Sequence, residues 1–383
     1  MALSDIASST NIGLQRNHNE DNHLVLSELG LLAVADGMGG LEKGEVASAT
    51  AVGVLASAEA PLSQLLQSTK NQRGAEGRIQ IARTLDVLNH LANEKIQETT
   101  GGTHSGTTLV AGLVADDHLV LSHVGDSRAY LWRGDRLRCL THDHTVAASQ
   151  LRAGMISQAE HDVSPYQHML YQALGTASSI DPDLLDVPLA KGDVLLFCSD
   201  GLTGPVSEPE LEALLREEAN LERAAEKLIQ AANAGGGPDN ITVILARNDS
   251  GPNPEFVDDL TGAVFSCPLF AEMEEELYLF LSLYLEEKTL AAGEEFPLRE
   301  GLHILLQGNA ESEGLALESG TAVGYRSILN MPGAVPAVHA TTDCQCVVLS
   351  PTALESLQER RPSLAVPVLK GVLRAIAERY TGA

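Results

Sequence analysis

Four aspartates in the first 250 residues stand where an apolar run meets a turn. Asp36, Asp126 and Asp200 each close such a run and are followed at once by Gly or Ser, whereas Asp239 is followed by Asn and precedes a run. A carboxylate at a strand end, beside a residue that lets the backbone turn sharply, can point into a cleft. Several such carboxylates form the oxygen-only ligand set that suits Mg²⁺ or Mn²⁺. A single Asp-Gly pair is usually only a turn, so the prediction depends on their joint occurrence.

The apolar pattern of this part of the chain indicates short strands separated by blocks of helical periodicity. It predicts strands at 23–29, 31–35, 107–114, 119–124, 129–132, 194–198 and 241–246, and helices at 42–58, 77–98, 208–217 and 221–234. Turn residues at 115–117 and 133–135 separate consecutive strands, as in an antiparallel meander. Strands in meanders and helices in blocks favour an α+β fold in which helices cover antiparallel sheets.

The composition changes once along the chain. Residues 248–262 (NDSGPNPEFVDDLTG) are rich in Pro, Gly and Asp, which predicts a linker between a domain at 1–247 and a second domain at 263–383. In the second domain the pattern predicts an amphipathic helix at 272–287, short strands at 289–292, 303–307 and 344–349, and a closing helix at 363–380. Short strands with frequent glycine turns predict a small β-roll flanked by helices.

Charge and cysteine content narrow the class of protein. Lys and Arg number 25 against 52 Asp and Glu, a formal net charge of −27, which disfavours nucleic acid and anionic membranes as partners. We find no apolar run near the roughly 20 residues of a membrane span and no secretory signal. Five widely spaced cysteines predict a reducing compartment, so we expect a cytoplasmic protein.

Eight short motifs follow one another along residues 5–247. They are Gly13-x-x-Arg16 with Asn19-Glu20-Asp21, Ala35-Asp36-Gly37-Met38-Gly39-Gly40, Gly106-Thr107-Thr108, Val124-Gly125-Asp126-Ser127-Arg128, Asp143-His144-Thr145, Ala173-Leu174-Gly175, Ser199-Asp200-Gly201-Leu202 and Asp239-Asn240. In this order they resemble the PPM family of metal-dependent Ser/Thr protein phosphatases (type 2C). The resemblance implies an α/β/β/α sandwich of two antiparallel sheets flanked by helices. It also implies hydrolysis of phosphoserine and phosphothreonine in proteins.

The same resemblance implies a centre of two Mn²⁺ or Mg²⁺ ions. Asp36 would bridge the two ions, and Gly37 would offer its carbonyl oxygen to one of them. Asp200 and Asp239 would complete the ligands of the second ion. Asp126 would bind a third ion, as in bacterial members of the family.

Three further residues take roles from the resemblance. Arg16 would bind the substrate phosphate, for which a planar guanidinium is suited. Glu20 and Asp21 would hold metal-bound waters. The nucleophile would be a metal-activated water, with no covalent enzyme intermediate. That agrees with the absence of a Cys-x5-Arg signature, and Cys139 and Cys198, which lie within apolar strand patterns, are predicted to be core residues.

The chain departs from the family pattern at three positions. Met38 stands where animal members often carry a His that has been assigned as a general acid, although many bacterial members have Met. Leu41 stands where a His commonly follows the glycine pair. Gln172 stands where an Arg often precedes Ala-Leu-Gly, at the end of a flap at about 152–172. The last difference concerns the contacts of the flap with a phosphoprotein and the third ion.

The histidines suggest a different kind of site, which the pattern does not favour. His142 and His144 flank Asp143, but three ligands at zinc-type spacing do not occur. His123 alternates onto one face of a predicted strand, so we expect it to be a core or sheet residue.

Residues 265–380 resemble the cyclic-nucleotide-binding domain in the order of segments and the placement of glycines. A working phosphate-binding cassette has Gly-Glu and, some ten residues on, an Arg that pairs with the cyclic phosphate. Here Tyr325 follows Gly324, the Arg position falls near Ala334, and 331–336 contains no basic residue, which leaves Arg326 as the nearby cation. We therefore expect no cyclic-nucleotide binding, and a regulatory or dimerisation role instead.

Three functional hypotheses remain. The leading one is an active phosphatase acting on phosphoproteins, opposing a bacterial Ser/Thr kinase. The second is a phosphoprotein-binding scaffold with little turnover, which the intact set of Asp36, Asp200 and Asp239 disfavours. The third is a sensor phosphatase controlled by a ligand of the second domain. The sequence does not name the phosphoprotein, the physiological metal or the oligomeric state.

Overall fold

The computed structural model divides the chain into two compact units. One consists of Met1–Lys70 with Gln80–Pro254, and the other of Asn71–Ile79 with Glu255–Ala383. The residues that the structure describes are 3–39, 43–69, 75–101, 105–270, 281–331, 336–360 and 362–381.

Two antiparallel sheets form the centre of the first unit. One sheet has the order β1-β11-β10-β7-β8, and the other has the order β2-β3-β5-β6-β9, with β4 paired to β3. The strands are β1 (Leu3–Asn11), β2 (Asp21–Leu26), β3 (Leu31–Met38), β4 (Gly106–Thr107), β5 (Leu109–Ala115), β6 (His118–Val124), β7 (Arg128–Arg133), β8 (Arg136–Cys139), β9 (Asp183–Pro188), β10 (Val194–Cys198) and β11 (Ile241–Asn248). The α+β class with antiparallel sheets is thus confirmed.

Helices cover the sheets of this unit. They are α1 (Lys43–Ser57), α2 (Glu59–Thr69), α3 (Ala75–Thr100), α4 (Val146–Arg152), α5 (Gln158–His161), α6 (Asp200–Thr203), α7 (Glu208–Glu217) and α8 (Leu221–Ala234). Helix α1 packs on β2 and β3, whereas α8 packs on β1 and β11. Between the sheets, Gly112 of β5 leaves room for the ring of Phe197 of β10, since a Cβ there would lie 2.8 Å from that ring. The central strands β3, β5, β6, β10 and β11 are therefore buried on both faces, as their largely apolar sequences require.

The predicted hairpin turns are confirmed. β5 and β6 pair across the loop of Asp116 and Asp117, and β7 and β8 pair across Gly134 and Asp135. Asp116, Gly134 and Asp135 have φ of 54°, 56° and 62°. Tight hairpin loops need such positive φ values, which Gly and Asp tolerate better than branched residues.

The second unit contains two small antiparallel sheets. Their orders are β12-β18-β13-β16 and β15-β14-β17. The elements are α9 (Pro254–Ser266), β12 (Leu285–Leu290), β13 (Leu302–Gln307), β14 (Ala310–Ser312), β15 (Leu315–Leu317), β16 (Ala322–Val323), α10 (Tyr325–Ile328), β17 (His339–Ala340), β18 (Cys344–Leu349), α11 (Pro351–Arg360) and α12 (Pro362–Thr381). The β-roll arrangement and the domain limits 1–247 and 263–383 stay predictions.

Two sequence predictions in this region differ from the structure. Residues 271–280 of the predicted helix 272–287 lie outside the described residues, but its end is wrong, because Leu285–Leu290 is strand β12, paired with β18. Pairing buries Leu285 and Leu290 while the residues between them stay more exposed. The predicted linker at 248–262 contains the start of α9, where Pro254 occupies the first turn and Val257, Ala263 and Val264 are buried.

Among the described residues, no single helix is both long and apolar enough to span a membrane. Lys43–Ser57 and Glu59–Ser68 meet such a criterion only when counted together, across a bend of 43°. Ala47, Ala51 and Val54 of the first of these helices are buried in the first unit, which accounts for its apolar character.

Candidate metal centre

The sheets bring the four predicted aspartates to one place. Asp36 lies near the end of β3, and Asp126 follows β6 of the same sheet. Asp200 is the first residue of α6, directly after β10, while Asp239 directly precedes Asn240 and β11 of the other sheet. Besides burial, the charges of Asp200, Asp126 and Asp239 all raise the pKa of Asp36, so the four carboxylates lie close together. Carboxylates at the strand ends of both sheets thus lie in one cluster.

Crowding makes these carboxyl groups hard to ionise. Burial raises the pKa of Asp36 well above its usual range, and the charges of Asp21 and Asp200 raise it further. The pKa of Asp126 is also well above its usual range, because of burial and then Asp200. Burial and the charge of Asp239 raise the pKa of Asp200. These shifts reflect burial first and repulsion among neighbouring carboxylates second, and a bound divalent cation would offset both.

Two oxygens of the cluster have no donor among the described residues. Asp21 Oδ1 and Asp200 Oδ1 are buried and make no hydrogen bond. A buried carboxylate oxygen without a donor is costly, so these atoms fit ligands of a cation or of its waters. The ligand atoms that the aspartates offer are all oxygens, which suits the hard cations Mg²⁺ and Mn²⁺. The residues present therefore fit a divalent-cation centre.

Asp21 of β2 is hydrogen-bonded to residues at β10 and β11 of the other sheet. It lies opposite Asp36 in the register of β2 and β3. Its Oδ2 accepts hydrogen bonds from Ser199 Oγ at 2.8 Å and Thr242 Oγ1 at 2.7 Å, both from the other sheet. Burial raises the pKa of Asp21 to about 6, although the two hydroxyl donors oppose that rise. The charge of Asp21 acts on Asp36, so Asp21 lies beside the cluster, and its Oδ1 is buried with no hydrogen bond from the described residues.

The neighbouring Glu20 and Gly37 are held by close backbone packing. The Gly37 N–H donates to the Glu20 carbonyl, and a Cβ on Gly37 would lie 2.5 Å from that oxygen and 2.3 Å from the Gly44 carbonyl oxygen. Only glycine fits there. The Glu20 N–H donates to Asn240 Oδ1 at 2.8 Å, and burial raises the pKa of Glu20.

Arg16 reaches the cluster from the loop between β1 and β2. Gly13 has a φ of 78° and packs so closely that a Cβ would lie 2.2 Å from the Asp239 carbonyl oxygen. This approach brings Arg16 Nη2 to 2.6 Å from Asp239 Oδ2. The side chains of Arg16 and Asp239 are 47% and 28% exposed, so this edge of the cluster is open to solvent. A phosphate entering here would meet the guanidinium first.

His168 joins the cluster, and the sequence analysis did not select it. Its Nδ1 lies 3.8 Å from Asp200 Oδ2, and ligand atoms of Asp126, His168 and Asp200 all lie within 4.8 Å of one another. The residue belongs to the flap between α5 and β9, where no motif or spacing marks it. Only the return of the chain from α5 brings it here, so sequence alone offered no signal.

The other residues noted in the sequence have simpler environments. His123 is fully buried in β6, which confirms it as a core residue of a sheet. Burial raises the pKa of the Cys139 thiol to about 11 and raises that of Cys198 as well, so neither is a thiolate near neutral pH. Leu41 and Ala334 lie outside the described residues.

Comparison with known proteins gives one consistent result. Residues 15–245 match the family described as protein phosphatase 2C. The serine/threonine phosphatase stp of Listeria monocytogenes serotype 4b is 39% identical over 243 residues, which make up 63% of this chain and 94% of that protein. The solved serine/threonine phosphatase of S. agalactiae aligns with a TM-score of 0.56 and 32% identity, over 64% of this chain and 99% of that one.

One solved relative bears on the metal. The catalytic domain of the serine/threonine protein phosphatase PstP, in complex with two manganese ions, aligns with a TM-score of 0.53 and 33% identity. The alignment covers 63% of this chain and 96% of that one. The family match described above includes every aspartate of the cluster.

Proposed function

The chain belongs to the protein phosphatase 2C (PPM) family of serine/threonine protein phosphatases, and we propose that it hydrolyses phosphoserine and phosphothreonine in proteins. The observation that supports this most is the cluster of Asp36, Asp200 and Asp239, which joins two sheets and stays partly open to solvent. Crowded carboxylates with buried oxygens that lack donors are suited to divalent cations. The adjacent Arg16 is suited to an anionic substrate.

We propose that these residues hold two Mn²⁺ or Mg²⁺ ions. Asp36 would bridge both ions, the Gly37 carbonyl would serve one, and Asp200 with Asp239 would serve the other. A third ion would lie at Asp126. The relative solved with two manganese ions supports the number of two. When bound, such ions polarise water and offset the negative charge of a phosphate.

The chain's own residues would bind the substrate and orient the attacking water. Arg16 would hold two phosphate oxygens through its planar guanidinium. Asp21, fixed by Ser199 and Thr242, would accept a hydrogen bond from water through its free Oδ1. Glu20 would likewise hold a water beside Asp21. Since Met38 has no proton to donate, the leaving serine or threonine oxygen would take its proton from a bound water, another residue or solvent.

Arg16→Ala is expected to raise the KM for a phosphothreonine peptide by about tenfold to a hundredfold, with a smaller effect on kcat. A charge-assisted hydrogen bond of this kind contributes roughly 1.5–3 kcal/mol. Arg16→Lys is the matched control, because it keeps the charge beside Asp239 but lacks the planar fork, and it should raise KM less. Steady-state kinetics on all three proteins measures this, and an unchanged KM in Arg16→Ala would remove Arg16 from phosphate binding.

The second unit would regulate the phosphatase or form a homodimer. We expect no cyclic-nucleotide binding, because Tyr325 follows Gly324 where the resembled cassette has Glu. A phosphatase rate that changes when cyclic nucleotide is added to the full chain would contradict this and favour the sensor hypothesis. We further propose that the protein acts in the cytoplasm, where its substrate is the product of a Ser/Thr kinase.

Phosphate release from a phosphothreonine peptide by the full chain tests the proposed reaction. With Mn²⁺ present we expect many turnovers per enzyme, and none after chelation. Peptide that binds tightly but is not hydrolysed would instead support the scaffold hypothesis. The proposal that the protein hydrolyses phosphoproteins would then be wrong.

A further inference from the structure

The end of the flap is hydrogen-bonded to the sheet that carries Asp36 and Asp126. The segment of interest is 170–177, which follows His168. Leu174 exchanges two backbone hydrogen bonds with Thr107, and Thr107 Oγ1 donates to the Asp36 carbonyl at 2.8 Å. The Gly175 N–H donates to Asn93 Oδ1 of α3 at 2.7 Å. The flap end is thus continuous with the backbone around Asp36.

His144 fastens the same segment to the loop that carries Asp126. Its backbone carbonyl accepts from the Tyr171 N–H at 2.9 Å, and its backbone N–H donates to the Gly125 carbonyl at 2.8 Å. Its ring makes a second link between the flap end and the Gly125 loop. Nδ1 accepts from the Gly125 N–H at 3.2 Å and lies 3.0 Å from Gln172 Nε2.

The amide of Gln172 has a fixed orientation. Its Oε1 accepts from the Asp181 N–H at 2.7 Å, and its Nε2 donates to the Asp181 carbonyl at 2.9 Å. Nε2 is therefore the atom that faces the His144 ring, and it can only donate. Nδ1 of His144 consequently meets two N–H donors and carries no proton.

The proton of the His144 ring must then lie on Nε2. That nitrogen is 3.3 Å from Asp183 Oδ2, a carboxylate of β9. The fully buried ring of His123 lies 4.8 Å from the His144 ring, measured between the ring centroids. Burial lowers the pKa of His123 to about 3, so it places no positive charge against His144. The surroundings are built for one neutral tautomer of His144.

Gly125, whose N–H donates to His144 Nδ1, is tightly packed. Its φ is 109°, and a Cβ would lie 2.6 Å from the Thr108 side chain. It directly precedes Asp126, so a shift of its N–H would turn the Asp126 carboxylate. Resting on the proposed function, we propose that His144 is a positioning residue: through its unprotonated Nδ1 it couples the flap end at Gln172 to the loop that holds Asp126.

Two substitutions of His144 separate its acceptor from its donor. In His144→Asn, Oδ1 falls near the place of Nδ1 and can still accept from Gly125 and Gln172. In His144→Gln, the longer amide can still donate to Asp183, but the acceptor is lost. Both leave similar empty space, so both should lose similar stability. A merely structural role would give two variants that behave alike.

Hydrogen–deuterium exchange of residues 153–172 in the metal-free full chain is the first readout, since it needs neither substrate nor turnover. We expect exchange at least about tenfold faster in His144→Gln than in His144→Asn. If the proposed reaction also holds, kcat should fall about tenfold to a hundredfold in His144→Gln, the range typical of groups that orient a metal ligand, and less in His144→Asn. Equal exchange in the two variants would overturn the proposal, whatever the activity.

A second pair keeps the test decisive if the His144 variants fail to fold. Gln172→Met removes the donor to Nδ1, together with the two hydrogen bonds to Asp181, at a half-buried position. Gln167→Met makes the same change of side chain five residues earlier in the flap. We expect faster exchange at the flap end in Gln172→Met and wild-type exchange in Gln167→Met. Wild-type exchange in Gln172→Met, or equal changes in both, would overturn the coupling.

Discussion

Asp36→Asn is expected to abolish Mn²⁺-dependent phosphate release, with a loss well above the roughly 10–100-fold typical of groups that only orient a metal ligand. In the proposed centre Asp36 would bridge the two ions, and the charges of Asp21 and Asp200 already act on its carboxylate. An amide offers a neutral oxygen and cannot replace it. Initial rates over a range of Mn²⁺ concentrations measure the loss.

The same substitution should have the opposite effect on the metal-free fold. The pKa of Asp36 is raised in the folded protein, so near neutral pH its ionised form destabilises the fold, and the neutral amide removes that cost. We therefore expect a higher melting temperature without metal and a smaller rise on adding Mn²⁺. Asp135→Asn, at a turn with a φ of 62° that Asn tolerates, is the matched control. Retained Mn²⁺-dependent turnover in Asp36→Asn would refute the site assignment.

Gly201→Ala is expected to destabilise the first unit by about 3 kcal/mol or more and to lower activity with it. A Cβ on Gly201 would lie 1.9 Å from the Asn240 carbonyl oxygen, a backbone atom that cannot move alone. Relieving the clash must separate α6 from the start of β11, at the upper end of the cost of overpacking. Asp200 and Asp239 are direct neighbours of these two residues, so their spacing changes as well. Thermal unfolding and phosphate release measure the two effects.

Gly53→Ala provides the control for this prediction. Gly53 lies within α1, and no atom comes within 4 Å of the position of its Cβ. Alanine should leave activity unchanged and raise stability by up to about 1 kcal/mol, through its higher helix propensity. If Gly201→Ala unfolds at the wild-type temperature, α6 does not pack against the start of β11 as closely as described here.

Much of the first unit follows from the sequence because its central strands are buried on both faces and its turns have distinctive residues. β5 and β10 are continuous apolar runs. Asp116 marks the turn of the β5–β6 hairpin, and Gly134 with Asp135 marks that of the β7–β8 hairpin. β1 escaped prediction because it is an edge strand in which only Leu3 and Ala7 are fully buried. Its strand structure comes from pairing with β11, which no local pattern reveals.

The site residues also divide into those with a local sequence signal and those without one. Asp36, Asp126, Asp200 and Asp239 each have a local signal, since each meets a turn at the end of a strand. His168 has none, because a long excursion of the chain brings it to Asp200. The contact of Arg16 with Asp239 likewise depends on Gly13 packing against a loop more than 200 residues away. Contacts made only through space cannot be derived from spacing along the chain.

A Mn²⁺ titration of the metal-free full chain, following phosphate release from a phosphothreonine peptide and the melting temperature in the same samples, tests the central claim most directly. We expect both quantities to rise over the same Mn²⁺ concentrations, because one set of carboxylates accounts for both. Hydrolysis that persists in excess chelator would contradict the account. So would a melting temperature that rises to saturation without any release of phosphate.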